Sequence, residues 1–145
     1  MNLPSAPSSG HVLLVIACAP VDMQLLTQLL DRLGNWHLLT ASSGTAGIKL
    51  AETSQPQVVI LDWGPSASTA MGILNGLRGN SLTSHIPVIV LSSDSLPAQI
   101  EAGLKAGCYR YLTKPYKLTA LLDAIESSLA YLEGKSERFQ PSVNT

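Results

Sequence analysis

The stretch "HVLLVIACAP", residues 11–20, decides how the rest of the chain is read. Val12 to Ile16 followed by Ala17-Cys18 matches the end of a bacterial lipoprotein signal, with Cys18 as the lipidated residue. It also matches the first strand of an α/β domain, running into a loop at Pro20. Charge and length separate the two readings. Residues 1–10, "MNLPSAPSSG", hold no Lys or Arg, and the first such side chain is Arg32. The apolar run from Val12 to Ala17 is shorter than the roughly 7–15 residues of a signal core. No segment approaches the roughly 20 apolar residues that span a bilayer. The strand reading stands, and a cytoplasmic location without membrane contact is expected.

Outward from this strand the chain alternates. Further strand-like runs occupy 37–40 (HLLT), 57–61 (QVVIL), 87–91 (PVIVL) and 109–112 (YRYL). Most are rich in Val, Ile or Leu without polar alternation, as strands buried on both faces are. Helical patterns fill the gaps. In 21–33, Val21, Leu25, Leu26, Leu29, Leu30 and Leu33 share a stripe, and Gly34 supplies the stop. Segment 44–53 has Ser43 as its cap, 96–106 has Pro97 in its first turn, and 67–78 and 117–132 complete the set. Parallel strands need right-handed helical crossovers, so the alternation predicts a three-layer (βα)5 doubly wound sheet. The folded region is then 11–132, flanked by a disordered segment 1–10 and a polar tail 133–145 that contains Phe139.

Bulk composition narrows the function. A chain of 145 residues suits one domain, and 46% hydrophobic against 13% charged residues points to a well-filled core. A net charge of -1, with nine Lys/Arg scattered along the chain, makes no basic stripe for nucleic acid. Cys18 and Cys108 show neither metal-ligand spacing nor a disulfide framework, and read as small buried thiols.

In a doubly wound sheet the functional crevice lies beyond the carboxyl ends of the strands. That rule selects Ala17-Cys18, Asp62, Ser92-Ser93 and Lys114. Around them, "LDW" (61–63), "HIPVIVLS" (85–92), "VLSSD" (90–94) and "YLTKP" (111–115) resemble the receiver domain of bacterial response regulators. The resemblance covers about residues 11–132. It implies the flavodoxin-like strand order 2-1-3-4-5. It also implies that Asp62 accepts a phosphoryl group from a histidine kinase, that Ser92 and Lys114 contact that group, and that Tyr111 is the aromatic whose rotamer reports the state of the site. The backbone carbonyl of Gly64 would be a metal ligand in a complete receiver.

One corner departs from the family. The receiver signature ends strand one with two adjacent acidic residues that hold magnesium, and here Ala17 and Cys18 stand in their place. Magnesium is a hard cation that takes oxygen ligands, and a thiol is a soft one. One charge pair at about 4 Å is worth roughly 4 kcal/mol at intermediate dielectric, so losing two carboxylates costs several kcal/mol even when heavily discounted. Magnesium binding is therefore expected to be weak or absent, with no other cofactor. Asp22, the nearest spare carboxylate, is read as favouring the helix N-terminus. Pro65 lies three residues past Asp62 where the family usually has it four past, and Trp63 is read as packing. Asp62 either bridges Lys114 structurally or still accepts phosphate, and the first reading is preferred.

The functional expectation is a stand-alone pseudo-receiver, not an enzyme, that acts by protein–protein interaction in a two-component or phosphorelay system. Its partners would be a histidine kinase, a phosphotransfer protein or an output protein. A homodimer could form through the face of helix four, strand five and helix five, with Ala98, Glu101, Tyr111, Tyr116 and Lys117. The alternative is a working phosphoacceptor that uses Asp62. A flavodoxin-like nucleotide binder would need a glycine-rich phosphate loop, and "ACAPVD" (17–22) has Pro20 and no Gly.

Overall fold

The structure, a computed structural model, describes residues 11–34, 36–62, 67–132 and 142–144. The strands are β1 (Val12–Ala17), β2 (His37–Ala41), β3 (Val58–Asp62), β4 (Val88–Ser92) and β5 (Arg110–Thr113). The helices are α1 (Pro20–Leu33), α2 (Gly44–Ser54), α3 (Ala67–Arg78), α4 (Pro97–Lys105) and α5 (Leu118–Leu132). Every strand and helix end falls within one residue of its expected position.

All pairings are parallel, and the order is β2-β1-β3-β4-β5 with one further strand, β6 (Ser142–Asn144), beyond β5. The five-strand flavodoxin-like architecture is as expected. The sixth strand is a correction to it, because part of the polar tail extends the sheet. Residues 1–10, Phe139, Trp63, Gly64 and Pro65 lie outside the described residues.

Alternation along the strands divides the core in two. Leu13, Val15, Val58, Ile60, Ile89, Leu91 and Leu112 pack with Leu26 and Leu30 of α1 and with Leu121, Ala124 and Ile125 of α5. Leu14, Ile16, Val59, Leu61, Val88 and Val90 face Ala51 of α2, Leu74 and Leu77 of α3, and Ile100 of α4. The four apolar residues of β3 are fully buried, each worth about 1.5–3 kcal/mol relative to exposure. These strands lack polar alternation because they have no solvent face.

Two local features locate α1 and α2. Ser43 Oγ accepts from the Ala46 amide at 3.1 Å, the cap expected from sequence. Gly34 ends α1 for a different reason from the one expected. Its φ of -175° is ordinary extended backbone, but a Cβ there would sit 2.4 Å from the Trp36 ring. That ring crosses the end of the helix so that Trp36 Nε1 can donate to the Leu30 carbonyl at 2.8 Å.

Candidate functional site

The carboxyl ends of β1, β3 and β5 bring three charged groups together. Asp62 closes β3 opposite Ala17 of β1 and is only 4% exposed. Lys114 follows β5, held beside β4 by its amide, which donates to the Ser92 carbonyl at 2.8 Å. Its Nζ lies 2.5 Å from Asp62 Oδ1 and 4.0 Å from Asp22 Oδ2. Among the described residues no further donor reaches Asp62 Oδ1. The lysine is thus enclosed between two carboxylates. Asp22 serves more than the helix terminus: four residues past Cys18 in the first turn of α1, it faces the same ammonium group.

Burial sets the electrostatics. Desolvation pushes the Asp62 carboxyl above its usual 3.8, and Lys114 opposes this through hydrogen bonding and attraction. The Tyr116 phenol is also pushed up, by burial first and then by the negative charges of Asp62 and Asp22. These residues border a groove of about 320 Å³ between α1 and the start of α5, with Leu25, Leu29 and Pro115 as its apolar wall. Tyr116 was expected on the helix-four face and instead lines this groove.

Ser92 turns elsewhere. Its Oγ accepts from the Asp94 amide at 3.0 Å. Tyr111 in turn donates to the Asp94 carbonyl at 3.0 Å. Tyr111 is 5% exposed and packs under Gly103, where a Cβ would come within 2.9 Å of its ring. Tyr111 is therefore not part of the exposed contact face expected from sequence, which retains Ala98, Glu101 and Lys117 as exposed residues. Arg110, not singled out from sequence, joins that face through an ion pair to Asp123 at 3.2 Å.

Among the described residues the metal corner offers few of the oxygen ligands that magnesium takes. Ala17 is buried hydrocarbon, Cys18 is an exposed thiol rather than the buried one expected because it lies just past the end of β1, and both nearby carboxylates face Lys114. Among the described residues no cluster of three His, Cys, Asp or Glu side chains could hold a metal. No helix among them is long and apolar enough to cross a membrane.

Comparison with known proteins agrees with the fold. Residues 13–126 match the response regulator receiver domain. Protein PilH of Pseudomonas aeruginosa is 30% identical over 118 residues, which cover 81% of this chain and 97% of PilH. The transcriptional regulatory protein KdpE of Mycobacterium tuberculosis is 34% identical over 110 residues, and the chain spans only 47% of its length. A response regulator receiver domain protein from Clostridium thermocellum superposes with a TM-score of 0.76 at 28% identity, covering 87% of this chain and 99% of that one. The strand order, the Asp–Lys pair at the sheet's carboxyl edge and these relatives lead to one conclusion: the chain belongs to the response regulator receiver family of two-component signalling.

Proposed function

We propose that this receiver is a pseudo-receiver, which signals by protein–protein recognition without the usual magnesium-dependent phosphorylation of Asp62. The observation that carries the proposal is the closed Asp22–Lys114–Asp62 cluster beside a corner where Ala17 and Cys18 replace oxygen ligands. A carboxylate attacking a phosphoryl group needs positive charge to offset repulsion from the transferred oxygens. Lys114 is the only cation at this cluster among the described residues, and two carboxylates already compete for it. Ser92 Oγ accepts from the Asp94 amide, and Tyr111 is held inward by its bond to the Asp94 carbonyl.

Recognition then falls to surface. Val21 and Leu25 of α1 are 66% and 62% exposed, and Leu118, two residues past Tyr116, is 51% exposed. The partners this reading implies are a histidine kinase, a phosphotransfer protein or an output protein. A working phosphoacceptor is the competing reading, supported by the retention of Asp62, Lys114 and Ser92. Incubation with a small phosphodonor and magnesium, followed by intact mass, separates the two. The pseudo-receiver gains no phosphoryl group. A gain that Asp62→Asn abolishes would establish the competing reading.

A further inference from the structure

We infer that the outer edge of β5 is a strand-docking site, and that its occupant in solution is segment 142–144 from a second copy of the chain. A strand on this edge is seen within the chain itself, where Arg110, Tyr111 and Leu112 pair with Ser142, Val143 and Asn144 in parallel register. Handedness argues for the second copy. α1 and α5 cover the same face of the sheet, since Leu26 and Leu30 pack in one cluster with Leu121, Ala124 and Ile125. Yet β1 to β2 runs toward one edge of the sheet and β5 to β6 toward the other.

Two crossovers on one face that travel in opposite directions have opposite hands. The β1–α1–β2 unit has the hand of the fold, so β5–α5–β6 within one chain is left-handed, an arrangement roughly one fiftieth as common as its mirror image. A tail supplied by another copy makes the same ladder with no crossover at all. The nine residues 133–141 can reach about 30 Å, ample for a neighbour. Reciprocal exchange of the two tails closes a two-fold dimer and leaves neither β5 edge open. The proposal is independent of whether Asp62 accepts phosphate.

The test uses the full chain with Cys18→Ala, Arg110→Cys and Ser142→Cys, which places thiols at directly paired positions of the ladder. Unlabelled and nitrogen-15 chains are refolded together, oxidised mildly and weighed intact. Exchange predicts disulfide-linked dimers, about half of them of mixed isotope. A bond closed within single chains, or no bond, would overturn the proposal. Sedimentation of the unmodified chain provides a check that does not depend on the cysteines. The full chain is expected as a dimer, and Ser142→Pro with Val143→Pro as a monomer, a twofold drop in mass. Equal masses for the two would also overturn it.

Discussion

Replacing Lys114 with Met tests whether the Asp62 pair is part of the structure's support. At 2.5 Å and an effective dielectric of 20, the attraction amounts to about 7 kcal/mol before desolvation. Most of that is offset by removing both groups from water, so the net value of the pair is small. Removing one partner is different, because Asp62 at 4% exposure is left with its desolvation cost uncompensated. Such truncations cost about 3–5 kcal/mol. Lys114 is itself a quarter exposed, so water can enter its place, and about 3 kcal/mol is expected at neutral pH. Combining Lys114→Met with Asp62→Asn removes the orphaned charge and should return stability to within about 1 kcal/mol of the parent.

The pH dependence carries its own sign. Burial already raises the Asp62 carboxyl above 3.8, and losing Lys114 removes the influence that lowers it. The folded variant then holds a proton that the unfolded chain releases, so its stability falls as pH rises through that window. The deficit of Lys114→Met relative to the parent should therefore be largest at neutral pH and shrink toward pH 3.8. Urea unfolding of the four proteins of the cycle, at several pH values, reads all of this. A single-variant loss under about 1 kcal/mol, or a loss that acid does not reduce, would refute the reasoning.

Other consequences are local. Gly103→Ala gains helix propensity but drives a Cβ into the Tyr111 ring, so urea unfolding should show a net loss of about 1–3 kcal/mol, with the tyrosine displaced from its bond to Asp94 in NMR spectra. Arg78 donates to the carbonyls of Ser84 and Ile86 in the loop before β4, and Arg78→Met should cost about 2–3 kcal/mol by the same assay. Burial pushes the Cys108 thiol up to about 12, so in the folded chain a thiol reagent should consume Cys18 quickly and Cys108 only on unfolding.

Helices and strands were legible in the sequence because a two-sided sheet writes long apolar runs, and Ser43 or Pro97 mark helix starts through local chemistry. Asp62, Ser92 and Lys114 were singled out because they stand at the carboxyl ends of parallel strands, and the structure brings Lys114 within 2.5 Å of Asp62. What escaped depends on contacts between distant segments. Tyr111, placed on the exposed contact face by resemblance, is buried because Gly103 leaves space for its ring. Asp22 was legible as the carboxylate nearest the altered metal corner and was read as favouring the helix terminus, but its approach to Lys114 at 4.0 Å depends on β5 and α1 meeting in space. β6 carries no pattern at all, because three residues after a proline are too few for periodicity to register.

Whether the chain binds a divalent ion at this corner can be measured directly. Manganese, a paramagnetic stand-in for magnesium, would be titrated into nitrogen-15 protein while the amide signals of Ala17, Asp62 and Lys114 are followed. No selective broadening is expected for the parent chain, and strong broadening once Ala17→Asp and Cys18→Asp restore the acidic pair. Selective loss of those same signals in the parent chain at comparable manganese would contradict the account.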